Sequence, residues 1–330
     1  MDTAAVGEAT ATARAHSNIA LIKYWGKRDT ALNIPAVGSI SVTLDALYTD
    51  TQVSFVHGAD HDEFLLNGQR RPAGRVGAIL DLVRARAGID AGARISSTNN
   101  FPTAAGLASS ASGFAALTVA ACAAAGLGLN RRELSILARR GSGSAARSIF
   151  GGYAQLFAGS GPDGLDAFAE PLLAADEWPL SVVVAITELG AKSTGSTAGM
   201  GSSAASSPFY PAWVQTGEAD LAEMRAAIGA RDLTSVGELT EHSCLKLHAL
   251  MISTRPALLY WNAATVSVIH RVRRLRADGI PVYFTIDAGP QVKALCAPTD
   301  ATAVAQALAG VPGVLQVRTS ALGPDAALLT

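Results

Sequence analysis

Residues 99–112 read Asn99-Asn100-Phe101-Pro102-Thr103-Ala104-Ala105-Gly106-Leu107-Ala108-Ser109-Ser110-Ala111-Ser112. They join a strand-like run, residues 93–99, to a long alanine-rich helix through small residues, and the reading of that junction decides the fold. A polyphosphate needs backbone N–H groups it can approach closely, a helix N-terminus with its partial positive charge, and hydroxyls that bond phosphate oxygens or a metal. Gly106 supplies the close approach, and Ser109, Ser110 and Ser112 supply hydroxyls beside the helix start. The order is not the P-loop G-x-x-x-x-G-K-[ST], because no lysine follows the glycine, nor is it the dinucleotide pattern G-x-G-x-x-G. A capped, buried helix would use the same residues, since serine favours helix starts and alanine needs no ligand.

Around this junction lie 330 residues, ample for two domains, of which 49% are hydrophobic and 16% charged, the composition of a folded globular chain. The formal net charge of -1 offers no general attraction for nucleic acid or an anionic membrane, so any anion is bound locally. Cys122, Cys244 and Cys296 are far apart and in no metal-ligand spacing, which argues for reduced, buried thiols in a cytoplasmic protein. Residues 101–130 carry no charge and are long enough to cross a bilayer. Their Pro, Gly and Ser, the dominance of alanine and the lack of aromatic anchors argue instead for a helix buried in a core. Residues 1–13 lack the apolar segment of a signal peptide and read as a frayed tail.

Along the chain, residues 12–23 suggest a strand and loop, and residues 39–55 two β segments around residues 45–50, a hairpin or a pair of strands. Asn67-Gly68 marks a tight turn. Val76, Ile79, Leu80 and Val83 give residues 76–87 one apolar helical face. Asn130 with Glu133 three residues on reads as a capping box. Residues 151–157, 178–187 and 281–286 read as strands, the second continuous in β-branched residues and therefore buried. Helices are expected over 220–230, 233–250 and 257–278, with a final helix and strand closing the chain. A domain boundary near Leu180 divides it into 1–180 and 181–330, and the mixture of strands and helices makes an α+β or α/β protein.

Four further stretches carry candidate chemistry. Lys23-Tyr24-Trp25-Gly26-Lys27-Arg28-Asp29 is either a solvated turn or a phosphate clamp. Gly141-Ser142-Gly143-Ser144-Ala145-Ala146-Arg147-Ser148 is either a flexible interhelical loop or an anion-binding turn built from N–H, hydroxyl and guanidinium groups. Residues 191–200, including Ser196, form a third small, hydroxyl-rich segment. Asp287 ends a strand before Gly289 and Pro290, where it either caps the next helix or sits as a catalytic group on a rigid scaffold.

The pattern Pro102-x-x-x-Gly106-Leu107-x-Ser109-Ser110-x-Ser112 resembles the ATP loop of the GHMP kinase superfamily. With TARAHSNIALIKYWGKRD (residues 12–29), ARRGSGSAARSIFGGY (138–153), KSTGSTAGM (192–200) and FTIDAGPQV (284–292) in that order, the chain resembles the diphosphomevalonate decarboxylase family over nearly its whole length. The resemblance implies an α+β, two-domain GHMP kinase fold, with an N-terminal ATP-binding α/β domain and a C-terminal ferredoxin-like α+β domain. It implies ATP-dependent decarboxylation of mevalonate 5-diphosphate to isopentenyl diphosphate, with release of ADP, phosphate and CO₂.

It also implies roles. Asp287 orients or deprotonates the substrate 3-hydroxyl, Arg147 holds the substrate carboxylate, and Lys23 keeps Asp287 ionised. Tyr24, Lys27, Ser142, Ser144 and Ser196 contact the diphosphate end. Pro102, Ala105, Gly106, Leu107, Ala108, Ser109 and Ser110 hold ATP, with Mg²⁺ reached through the Ser110 hydroxyl, and the assembly is a homodimer. Gln291 stands where the family commonly has Asn, and Gly38 where it has a polar residue, both departures bearing on the substrate pocket. Alternatives are a phosphomevalonate decarboxylase, a GHMP small-molecule kinase, or a non-catalytic ATP-binding regulator. Asp287 and Arg147 together argue for decarboxylation, because a plain kinase has no carboxylate to grip there.

Overall fold

The computed structural model describes residues 9–101, 109–190 and 194–329, and in it the chain builds two large sheets that share a core. The first half runs β1 (Ala9–Ile22), a small hairpin of β2 (Lys27–Asp29) and β3 (Ile34–Pro35), then β4 (Ser39–Val56), β5 (Glu63–Leu66), β6 (Gln69–Arg71), α1 (Gly74–Ala87) and β7 (Gly92–Asn99). It continues with α2 (Ser109–Ala124), α3 (Arg131–Gly141), a 3₁₀ turn over Gly143–Ile149, β8 (Tyr153–Leu156) and β9 (Ala169–Leu173). The second half comprises β10 (Ser181–Ile186), α4 (Ser196–Ser206), α5 (Tyr210–Gly229), α6 (Leu233–Ile252), α7 (Ala263–Ala277), β11 (Val282–Ile286), β12 (Val292–Cys296), α8 (Ala301–Ala309), β13 (Gln316–Ala321) and β14 (Ala327–Leu329).

The mixed N-terminal sheet is ordered β14-β1-β4-β7-β5-β6, with β8 and β9 added along the early part of β4; among the described residues β5 and β7 pair parallel and its other pairs are antiparallel. The C-terminal sheet is wholly antiparallel in the order β11-β12-β10-β13. Numbered within that half, the strands lie 2-3-1-4, and helices cover one face, an antiparallel α+β layer of the ferredoxin-like kind the resemblance implies.

Helix α2 crosses β1 and β4, and its alanines let backbone approach backbone, so Ala115, Ala116, Ala120 and Ala121 are fully enclosed with Ala13, Ala15 and Val53. A second core joins the halves: Ile19, Leu21, Ile40 and Val42 of the first sheet pack with Val182, Val184 and Leu295 of the second and with Leu221 and Met224 of α5. The opposite face of the C-terminal sheet is covered by α7 and α8. Among the described residues no helix is long and apolar enough to cross a membrane, and all three cysteines are buried and free.

Several expectations change. Residues 39–56 are one strand, not two. Its register against β1 slips between His16/Tyr48 and Asn18/Thr43, and the His16 imidazole Nδ1 lies 3.2 Å from the Leu44 carbonyl oxygen and 3.0 Å from that of Asp45. The polar residues that suggested a turn therefore mark a bulge. The expected tail is strand from Ala9 onward, because β4 on one side and β14 on the other satisfy its backbone. Residues 143–149 form a buried 3₁₀ turn rather than a flexible loop. Helix α5 starts at Tyr210, with Pro211 in its first turn, and α7 starts at Ala263, where Asn262 and Thr265 make a capping box. The Asn67-Gly68 turn, with φ of 50° and 75°, and the Asn130–Glu133 box are as the sequence predicts.

Candidate active site

At the end of β11 the Asp287 carboxylate meets two lysines. Lys23 Nζ, just past β1, lies 2.6 Å from Oδ1, and Lys293 Nζ, in β12, lies 3.3 Å from Oδ2. Both lysine side chains are 1% exposed and the aspartate 27%. Burial alone would raise the Asp287 carboxyl, but the Lys23 and Lys293 ammoniums override it and hold the group well below the usual carboxylate range. Burial also lowers Lys293, opposed by the charge of Asp287. The Lys23 backbone N–H donates to Ser243 Oγ at 2.9 Å, which ties the end of β1 to α6.

Arg147 comes from the 3₁₀ turn and is 2% exposed. Its Nε donates to Ser41 Oγ at 2.9 Å, its Nη1 to Ser39 Oγ, and its Nη2 to Asn18 Oδ1 at 3.0 Å. These partners are neutral, and among the described residues no ion pair involves Arg147. A guanidinium has five N–H groups, so three such bonds leave one on each terminal nitrogen, the fork that a carboxylate takes. Burial lowers Arg147 to about 10, opposed by Asp287 and Tyr24, so it stays charged at neutral pH. Asn18 also donates from Nδ2 to the Ser144 carbonyl oxygen and to Ser148 Oγ, which fixes the turn to β1.

The small residues gather beside this centre. Ser142 Oγ lies 3.4 Å from Ser110 Oγ at the start of α2 and 3.3 Å from Ser144 Oγ. Gly143 backs directly onto the Tyr24 ring: a Cβ there would fall 2.5 Å from Tyr24 Oη. That hydroxyl is buried without a hydrogen-bond partner among the described residues, and burial pushes the phenol up, the Arg147 and Arg139 guanidiniums offsetting only part. Lys27 is lowered by burial and by the Arg75 guanidinium. Ser196 opens α4, and one turn on Gly199 packs against Trp25. A cavity of about 290 Å³ opens next to Ser109 and Ser110, lined also by Thr49, Arg75, Asn99 and Phe114.

Of the residues the sequence singles out as catalytic, Asp287, Lys23 and Arg147, the structure brings the first two into contact. Pro102, Ala105, Gly106, Leu107 and Ala108 lie outside the described residues. Asn18 and Lys293 were missed, their sequence signal being a polar or charged residue set in an otherwise buried strand. The two departures are taken up by packing. Gln291 Oε1 accepts from the Thr187 N–H at 2.6 Å and its Nε2 donates to the Glu188 carbonyl oxygen at 2.5 Å. At Gly38 a Cβ would come within 2.7 Å of Leu221 on α5.

Two family models match: "Diphosphomevalonate decarboxylase-like N-terminal domain" over residues 15–169 and "Mevalonate 5-diphosphate decarboxylase C-terminal domain" over 182–319. The human diphosphomevalonate decarboxylase is 38% identical over 304 residues, covering 86% of this chain and 75% of its own length. A phosphomevalonate decarboxylase of Haloferax volcanii is 37% identical over 286 residues, covering 86% of each. A solved structure described as MDDEF in complex with MVAPP, AMPPCP and magnesium superposes with a TM-score of 0.90 at 40% identity, over 97% of this chain and 98% of that one.

Proposed function

The chain belongs to the diphosphomevalonate decarboxylase family, and we infer that it uses ATP to decarboxylate mevalonate 5-diphosphate, yielding isopentenyl diphosphate, ADP, phosphate and CO₂. The observation that carries this reading is that a lysine-held Asp287 and a buried Arg147 whose hydrogen-bond partners are all neutral lie close enough for the carboxylate to act on the guanidinium. One group suits a hydroxyl, the other a carboxylate, and a 3-hydroxy acid has both.

Hydroxide is a poor leaving group, so the 3-hydroxyl must first become a phosphate ester. Asp287 accepts the hydroxyl's hydrogen bond and aligns its oxygen with the γ-phosphorus. So acidic a carboxyl is a weak base, so most of its contribution is orientation. Arg147 holds the carboxylate through its two remaining N–H groups. As phosphate leaves C3, the electron pair of the bond to the carboxyl carbon becomes the C2–C3 double bond, and CO₂ departs. Lys23 keeps Asp287 charged throughout.

Ser109 and Ser110 take the ATP phosphates, with the adjoining 290 Å³ cavity suited to the nucleoside. Tyr24, Lys27, Ser142, Ser144 and Ser196 take the substrate phosphates, and the unpartnered Tyr24 hydroxyl is the donor that supports this most directly. Among the described residues no three His, Cys, Asp or Glu side chains gather as an all-protein metal site. A serine hydroxyl beside phosphates fits Mg²⁺, which prefers oxygen ligands and keeps its waters. Ser110 would hold it, and it would offset charge on the transferring phosphoryl group. A homodimer is the expected assembly, measured by mass in solution.

The Haloferax relative favours one second reading, the 5-monophosphate as substrate. A coupled assay of ADP and CO₂ with Mg-ATP, run on the diphosphate and the monophosphate in parallel, decides between them. Matched ADP and CO₂ are expected on the diphosphate, with Asp287→Asn lowering kcat by about 10²–10⁴-fold. ADP without CO₂ would make the protein a kinase.

A further inference from the structure

Lys293 is the second residue of β12, in register with Thr285 of β11 and Val184 of β10, and is 1% exposed. Side chains alternate along a strand. Val292, Ala294 and Cys296 face the core under α7 and α8, while Leu295 packs with Ile19, Leu21 and Ile22 of β1. Lys293 therefore shares the face of Leu295, between the two sheets, where the fold by itself calls for an apolar side chain. Its ammonium reaches Asp287 Oδ2 while Lys23, arriving from the other sheet, holds Oδ1. One lysine neutralises one carboxylate. Among the described residues, the second lysine and the nearby Arg147 add positive charge around that single carboxylate.

We propose that Lys293 is a positioning residue for phosphoryl transfer: engaged at Oδ2, it fixes the carboxylate plane of Asp287 at both oxygens, keeps it ionised, and supplies positive charge that the anionic substrates offset. This rests on the function proposed above. Each carboxylate oxygen keeps a second lone pair, so the substrate hydroxyl can still be bound. Among the described residues, the titratable and charged groups that face Asp287 are Lys23 from the end of β1, Lys293, Arg147 from the 3₁₀ turn, and Cys244 and His248 from α6. Burial raises Cys244 to about 11 and lowers His248 to about 3, so both are uncharged across the neutral range.

The test measures kcat and KM against pH for the full-length wild type, Lys293→Met and Lys293→Arg, with a thermal melt of each. Ratios of wild type to variant cancel the ionisation of the substrate. In Lys293→Met the Asp287 carboxyl loses one of its two ammonium partners, so the acid limb of kcat is expected to move to higher pH than in wild type. Its kcat at neutral pH, where Asp287 is ionised in both proteins, should fall about tenfold because the carboxylate is no longer held at both oxygens, with KM changing less. Lys293→Arg should restore the wild-type limb. A folded Lys293→Met with wild-type kcat and acid limb overturns the proposal, as does a limb that moves equally in Lys293→Arg. If Lys293→Met does not fold, Lys293→Gln takes its place. If neither neutral variant folds, the arginine profile decides, a wild-type limb supporting the proposal and a shifted one overturning it. Wild-type turnover is the control: without it the functional reading falls, and with it only the variant profiles bear on Lys293.

Discussion

His248 stands one layer behind Asp287, its Nε2 3.3 Å from the Ile286 carbonyl oxygen and 3.2 Å from the Trp261 indole Nε1, which donates to it. Burial, with the charge of Lys23 second, keeps the ring neutral and lowers it to about 3. The unfolded chain binds a proton at about 6.5. The folded group is the more acidic, so its contribution is complete above the unfolded value and is lost as pH falls towards 3. Unfolding free energy should therefore drop by up to about 1.4 kcal/mol per pH unit below pH 6.5 from this residue alone. Urea titrations at pH 7 and pH 5 measure the slope, and a His248→Gln variant with an unchanged slope would refute the assignment. The Asp287 carboxyl, also depressed on folding, gives a contribution of the same sign that starts to be lost only as pH falls below the usual carboxylate range. The Lys23–Asp287 partnership was legible only through the family resemblance, which implies it for the lysine just before Tyr24-Trp25-Gly26-Lys27 and the aspartate that opens Asp287-Ala288-Gly289-Pro290. Lys293 was missed although it is the one charged residue of β12, because all five residues of that strand are buried and no alternation in the sequence shows which face the lysine takes.

Among the elements, the 3₁₀ turn Gly143–Ile149 does most for the site, because it presents Ser144 and Arg147 while packing against Tyr24. Gly143 is needed for that approach. Its replacement by alanine should push the Tyr24 ring aside, destabilising the protein by about 1–3 kcal/mol and raising KM for the diphosphorylated substrate more than it lowers kcat. Melting temperature and steady-state kinetics of Gly143→Ala check both. The turn illustrates why local reading stops short: Gly-Ser-Gly-Ser is flexible in isolation, and it is fixed by Asn18, which donates to Ser144 and Ser148 from another strand. The α3 cap and the Asn67-Gly68 turn were legible because every contact that makes them lies within a few residues. The start of α7 was missed although Asn262 and Thr265 repeat the same capping logic, because the apolar pattern of residues 257–262 was carried into the helix.

At the scale of the whole molecule, the two halves are joined by a continuous core and by β14, which pairs with β1 after β13 has completed the other sheet. Such sharing should make them unfold together. Circular dichroism and tryptophan fluorescence are expected to give coincident, single transitions in denaturant, and two separated midpoints would contradict it. The link between Lys23 and Asp287 closes a sequence separation of 264 residues. During synthesis at about 5–20 residues per second, that distance corresponds to roughly 10–50 s. Throughout that interval Lys23 has emerged from the ribosome and its counter-charge has not. An ammonium cannot be enclosed alone, so the end of β1 has to stay hydrated until β11 arrives, and the nascent N-terminal half carries an open, charged seam that chaperones or its own slow closure must protect.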